Sequence, residues 1–309
     1  MKFAMPETKE KRALKPAKEL NEQVDILVNR GLHIDSEEAA ISALSSINYY
    51  RLRGYYIHLQ KKGGEEFLPG TSLSKLLSLH SFDSELRLLL LQLLFDIEIV
   101  ARTRIAYVLG NAWGPAGYLD ETNYQGCNHE SFEKLIESVN NDIARSRELF
   151  VKTHNEKYDG IFPIWVAVEV MSFGDLSKLY SLLPPSQRAN IANCYEYLDE
   201  IALKNWLHIS SVLRNTCAHN SRIYGKSLAP HALIETKVAT YMSAILGPSF
   251  NVYPNTLFAY LLGIRRISRS ETWNAFLGKL KKLISDYQGL IEPIKLGFPY
   301  QWALILLPK

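Results

Sequence analysis

Apolar residues recur every three to four positions along almost the whole of this 309-residue chain, and alternating runs of the kind that build sheets are scarce. Such spacing lays apolar side chains along one stripe of a helix, so the chain is expected to be all-α. The first segment, over residues 16–30, puts Leu20, Val24, Leu27 and Val28 on one stripe and stops at Gly31. Asp35-Ser36-Glu37-Glu38 opens a second helix with acidic groups at the positive end of its dipole. Ser72 or Ser81 is expected to cap a long helix through Leu109, ended by Gly110 and Gly114-Pro115. One helix is expected over residues 129–154, and another from Pro163 to Leu183, closed by Pro184-Pro185. A third runs from Tyr197 to about His219, and Pro230, Pro254, Ser270 and Pro293 punctuate the rest. The expected order is an N-terminal helical, aromatic-basic region over 1–70, a helical core over 71–235, and C-terminal helices over 236–309 packed on that core.

Composition excludes more than it identifies. An apolar fraction of 47% and a charged fraction of 22% belong to an ordinary globular protein. A formal charge of +3 is too small to argue for nucleic acid, so any such case must be local. Cys127, Cys194 and Cys217 form no CxxC pair, which suits a reducing cytoplasm and argues against a cysteine-rich zinc site. Lys2, Lys9, Lys11, Arg12, Lys15 and Lys18 are not followed by the apolar stretch of a signal peptide. The apolar run Leu86–Leu109 is broken by Arg87, Gln92, Asp96, Glu98, Arg102 and Arg104, so no membrane span is expected. Phosphate loops, dinucleotide-binding turns, HExxH and GxSxG are all missing, and neither a metal nor a cofactor is expected.

The local case lies between Arg214 and Lys226. Although the whole chain carries 32 acids against 35 bases, no Asp or Glu occurs between Glu200 and Glu235. Within that stretch Arg214 and His219 stand five positions apart, and Asn215 follows the arginine directly. Cleaving RNA without a metal requires a group to take the 2′-hydroxyl proton, one to protonate the leaving 5′-oxygen, and positive charge on the phosphorane. Histidine suits either proton role, and arginine presents a planar donor fork to phosphate oxygens. Asn215 could hold the arginine or donate a further hydrogen bond. The spacing, however, puts Arg214 and His219 roughly 140° apart around a regular helix. Either the helix loses regularity near His219, or a second subunit completes the site. Two other readings stay open on the residues alone. One is a non-catalytic RNA-binding module, and the other is a protein-interaction scaffold.

The wider pattern carries a resemblance. Leu213-Arg214-Asn215-Thr216-Cys217-Ala218-His219-Asn220-Ser221-Arg222 resembles the "LRN-x-CAH-x-xR" signature of the Abi family of bacterial abortive-infection proteins, of the AbiD/AbiF type. Tyr50-Arg51-Leu52-Arg53-Gly54-Tyr55 is similar to its "YRL-x-GY" box, and Phe82–Arg87, continuing to Ile97–Arg102, to its first core helix. Pro163-Ile164-Trp165 with Glu169 and Ser172-Phe173-Gly174-Asp175-Leu176-Ser177 is similar to its "P-I-W…E…SFG-x-LS" stretch. Gly297-Phe298-Pro299 with Trp302 resembles its closing "GFP-x-xW". These ordered motifs cover roughly residues 20 to 302. The family belongs with the HEPN superfamily, whose arginine–histidine motif marks metal-independent endoribonucleases. The resemblance therefore implies a HEPN-type helical bundle with Arg214 and His219 as the catalytic pair and Asn215 as polar helper. It also implies a homodimer formed through the motif helices and a toxin role in phage defence, restrained in some members by a small antitoxin RNA.

Supporting residues follow from chemistry. Arg222, Tyr224 and Lys226 lie just past the motif, where they could grip a flanking phosphate or stack on a base, or else serve as a structural ion pair, a buried ring and a solvated loop charge. Arg51 and Arg53 are interleaved with Tyr49, Tyr50, Tyr55 and Tyr56, a composition suited to single-stranded RNA. Glu98 and Arg102, one helical turn apart, form a supporting pair, or Arg102 and Arg104 add charge to the site. Glu169 could orient His219 or Arg214, and Arg265, Arg266 and Arg269 either extend the basic surface or form a solvated face. His208, three turns before His219, is expected to be packed or exposed rather than catalytic.

Overall fold

The computed structural model describes residue 14 and residues 16–196, 198–247 and 251–309. The basic residues from Lys2 to Lys15 and the expected helix start at Tyr197 lie outside these. Among the described residues there are fourteen α-helices and no strand, so the fold is all-α. They form two compact units, one ending at His80 and one running from Ser81 to Lys309.

The first unit contains α1 (Leu20–Asn29), α2 (Glu37–Ser46) and α3 (Tyr49–Tyr56). Val24 and Leu27 are buried on α1, whereas Val28 is half-exposed at 50% and lies off the buried stripe. Ser36 caps α2, its hydroxyl accepting from the Ala39 amide, and satisfies one of the donors a helix start leaves open. The unit boundary falls within α4 (Leu73–Trp113), whose 41 residues extend over about 60 Å. Ser72, not Ser81, caps it by accepting from the Lys75 amide at 3.2 Å. Gly110 lies inside this helix, and the chain turns away at Gly114, where φ is +75°.

The second unit continues with α5 (His129–Arg145), α6 (Leu149–Lys157), α7 (Ile164–Val170), α8 (Phe173–Leu182) and α9 (Pro185–Asn193). Next come α10 (Glu200–Ala218), α11 (Thr236–Leu246), α12 (Leu257–Ile267), α13 (Ser270–Asp286) and the single turn α14 (Trp302–Ile305). Two expected helices are broken in two. Residues 129–154 divide at extended Ser146, and the Pro163–Leu183 stretch divides at Met171, after which Ser172 caps α8 by accepting from the Asp175 amide. A Ser followed three positions on by Asp, inside an apolar run, is itself a helix-start signal.

Helix α10 is the axis of this unit and packs against α8, α9 and α12. Its Leu203, Trp206, Leu207, Ile209, Leu213 and Cys217 are buried. The crossing with α12 is close because Gly263 has no side chain. A Cβ there would meet Trp206 Cδ1 at 2.3 Å. The Trp206 indole in turn donates to the Leu233 carbonyl at 3.0 Å, tying α10 to the segment that follows the motif.

Candidate functional site

Helix α10 starts at Asp199, whose carboxylate caps the Ala202 amide, and delivers the Arg214–His219 segment in its last turn. The helix stays regular through Ala218, and His219 is its C-cap. Asn220 then takes a left-handed conformation with φ +59°. Its amide donates to Cys217 O at 3.0 Å and the Ser221 amide to Thr216 O at 2.9 Å, the paired bonds of a Schellman ending. The expected loss of regularity thus comes one residue after His219, leaving Arg214 and His219 roughly 140° apart around the axis.

Arg214 and His219 meet different surroundings. The Arg214 guanidinium, 29% exposed, points to α4, where its Nε lies 3.2 Å from Glu98 Oε2. Its Nη1 donates to Asn215 Oδ1 at 3.1 Å. The same Glu98 carboxylate, only 8% exposed, accepts from Arg102, itself 11% exposed. One nearly buried carboxylate is therefore shared between two guanidiniums, and the cluster keeps one uncompensated positive charge at the motif. The His219 ring is exposed and makes no hydrogen bond or ion pair among the described residues. It stands one turn beyond Asn215, which lines a groove of about 710 Å³ between α8 and α10 together with Lys178, Lys204 and His208.

The segment after the motif is anchored from beneath. Asp83 and Arg87, one turn apart on α4, are both buried and ion-paired. The Asp83 carboxylate also accepts from the amides of Ile223 at 3.2 Å and Tyr224 at 2.8 Å. Sequence reasoning assigned this pair no role. An Asp and an Arg at i and i+4 on an apolar helix are the same signal that singled out Glu98 and Arg102.

Other expectations are corrected. Tyr224 is buried, its ring edge-on to Phe82 and its hydroxyl accepting from the Glu292 amide at 2.9 Å, so it cannot stack on a base. Burial pushes its phenol above the usual range. Glu169 is exposed and pairs with neither Arg214 nor His219, because α7 buries its Ile164, Ala167 and Val168 face instead. It lines a separate groove with Arg102 and Trp165. Arg104 lies over the buried Tyr195 ring, 3.9 Å from its centroid. Arg265 donates to the Leu307 and Pro308 carbonyls, Arg266 pairs with Glu235, and Arg269 pairs with Asp96, so this run adds no free basic surface.

Arg222 is partly buried and donates to the Tyr224 carbonyl at 2.6 Å, while Lys226 is exposed. In the first unit Arg51 Nε donates to His80 at 3.3 Å. Tyr55 and Tyr56 are buried there, leaving exposed Arg53 and Tyr50 with Tyr49 and Arg30 around a cleft of about 580 Å³. Burial pushes the Cys217 thiol from its ordinary 9.0 up to about 12, so it is a packing group. No group of three or more His, Cys, Asp or Glu that could hold a metal ion occurs among the described residues. No described helix is long and apolar enough to cross a membrane.

Comparison with known proteins gives one finding. The model of the Abi-like protein family matches residues 42–225, from within α2 to the glycine that follows the motif and Tyr224. No curated protein and no solved structure matches. The matched span takes in α3, α4, α7, α8 and α10, and with them Glu98, the Asp83–Arg87 anchor and the whole Arg214–His219 segment. The chain therefore belongs to the Abi-like protein family, and a role in phage defence goes with that membership.

Proposed function

We propose that this protein is a HEPN-type endoribonuclease that cuts RNA without a metal and acts as an abortive-infection toxin in the cytoplasm. The observation that carries the reading is the state of the motif. Arg214 is fixed at one end by Glu98 and Asn215, and His219 is exposed and unpartnered at the helix terminus. A histidine ring held only by its backbone has the equipment for proton transfer, and the surplus positive charge of the Arg214 cluster, roughly 140° away around the helix, suits a phosphodiester.

In the proposed reaction a His219 ring nitrogen accepts the 2′-hydroxyl proton and the 2′-oxygen attacks phosphorus. The bond to the 5′-oxygen breaks, and that oxygen takes up a proton. The products are a 2′,3′-cyclic phosphate and a 5′-hydroxyl. Arg214 offsets the negative charge that builds on the phosphorane oxygens, while Asn215 holds Arg214. Arg222 and Lys226 are proposed as flanking phosphate contacts, and Arg53 with Tyr50 as an accessory RNA surface.

The angle between Arg214 and His219 favours a homodimer in which each site draws on two copies of α10. In that arrangement Arg214 of one copy serves with His219 of the other, and the protonated ring returns its proton to the leaving 5′-oxygen. Exposed Leu88, Phe95, Ile99 and Tyr107 form an apolar stripe along α4, the helix that holds Glu98, and a second copy of this chain is the occupant the reading requires. Mixing the Arg214→Ala and His219→Ala proteins tests this arrangement. If the sites are shared, mixed dimers carry one site with both residues intact and cleavage returns. If each chain holds its own site, the mixture stays inactive. The toxin role is tested by inducing the gene in bacteria. Growth arrest with wild type that vanishes for both variants at equal protein level supports it, and arrest that persists contradicts it. A small antitoxin RNA is proposed as a partner, and its absence from the purified, intact protein would count against it.

A further inference from the structure

We infer that the groove between α8 and α10 is the track along which the RNA strand reaches His219. The inference deepens the ribonuclease reading and takes the identity of the ligand from it. The face of α10 that lines the groove carries Ile201, Asn205, His208, Val212 and Asn215, at alternating steps of three and four residues. His219 is the next position of that series, so the groove leads to it along about 21 Å of helix between residues 201 and 215.

Lys178 on α8 and Lys204 on α10 face the groove with His208. None of the three takes part in an ion pair among the described residues. A second groove, of about 420 Å³, shares Ser181 and Lys204 with the first and extends it toward Asn128. No Asp or Glu lines either groove. Arg188 stands at the far end, but Glu200 matches its charge. Unpaired cations lining a continuous acid-free trench attract a polyanion, and they attract it at high cost in salt sensitivity.

The polar groups left over suit a backbone rather than a particular base sequence. The Asn205 side chain is bonded to the His231 carbonyl and the Leu233 amide, and the Ser211 and Ser181 hydroxyls donate to backbone carbonyls. What remains is the Lys178 and Lys204 ammonium groups, the His208 ring, the Ser177 hydroxyl and the Asn215 amide donor, since Asn215 Oδ1 accepts from Arg214. Donors without matching acceptors read phosphate oxygens.

The test is fluorescence-anisotropy titration of a short labelled oligouridylate with the full-length His219→Ala protein across a range of salt. Each single-strand phosphate contact contributes about 0.7 to the slope of log affinity on log salt. Lys178→Ala with Lys204→Ala should lower that slope by about 1.4, whereas the exposed Lys281→Ala on α13 should leave it unchanged. Lys204 is exposed and Lys178 half-buried at the groove wall, and circular dichroism of the double variant should match the parent. An unchanged slope would overturn the trench as the track and leave the ribonuclease reading intact. No binding even at low salt would also overturn it, and cleavage by wild type but not Arg214→Ala would then show separately whether the nuclease reading stands. Displacement of the probe by polyglutamate as readily as by unlabelled RNA would assign the groove to an acidic polypeptide instead.

Discussion

At the residue scale, Glu98 decides how the motif arginine is held. It is nearly buried and faces two guanidiniums, so its charge offsets repulsion that would otherwise be felt in a poorly solvated place. Glu98→Gln is expected to destabilise the protein by about 3–5 kcal/mol, the range for breaking a buried pair, read as a fall in urea midpoint. Under conditions where the variant stays folded, kcat for RNA cleavage should drop with KM little changed. An unaltered midpoint would mean that Arg102 and Arg214 need no countercharge. Cys217 gives a prediction of the opposite kind. Its folded thiol is pushed up to about 12 by burial, so stability linked to it is complete below the ordinary value of 9.0 and falls as pH rises from there toward about 12. Cys217 should resist iodoacetamide at neutral pH until the protein unfolds, while half-buried Cys127 and Cys194 are modified first. Arg214, Asn215 and the Glu98–Arg102 pair were legible from spacing, because i, i+4 neighbours and adjacent residues meet through local geometry alone. Burial of Tyr224 was one of two readings the sequence left open. It depends on Phe82 and Glu292, far away in sequence, and nothing in the residues around Tyr224 encodes them.

At the scale of elements, helix ends decide where the chemistry sits. Ser36 and the glycine at 114 mark boundaries that the sequence foretells, since capping and positive φ are local properties. The apolar spacing continues across the interruptions at Ser146 and Met171, and of the two only Met171 is marked locally, by the Ser172–Asp175 cap that follows it. Asn220 is the cap of most consequence, for its left-handed backbone ends α10 directly after His219. Asn220→Val puts a β-branched residue at φ +59° and should cost about 1–2 kcal/mol, with loss of cleavage from misplacement of His219. Asn220→Gly, which keeps the left-handed backbone without strain, should lose less of both activity and melting temperature than Asn220→Val. The crossing of α10 over α12 is similarly exacting. Gly263→Ala forces a methyl into the Trp206 ring and should destabilise by about 1–3 kcal/mol in thermal or chemical unfolding. A melting temperature equal to wild type would show that α10 can shift without loss.

At the scale of the molecule, the basic character is arranged rather than abundant. A formal charge of +3 spread over 309 residues says nothing about nucleic acid, yet the acid-free stretch between Glu200 and Glu235 places Lys204, His208 and the motif on one helix. That half of the groove could be read from sequence. Lys178 could not, because its place opposite Lys204 follows from the packing of α8 on α10. The Arg265–Arg269 run shows the converse, a basic cluster in sequence whose charges are taken up by Glu235, Asp96 and C-terminal carbonyls. The central claim is that Arg214 and His219 together cleave RNA, and incubation of purified protein with total RNA and labelled transfer RNA in EDTA tests it most directly. Wild type should produce fragments ending in 2′,3′-cyclic phosphate and 5′-hydroxyl groups, and Arg214→Ala and His219→Ala, folded by circular dichroism, should produce none. Fragments that persist in both variants, or that form only when a divalent metal is restored, would contradict it.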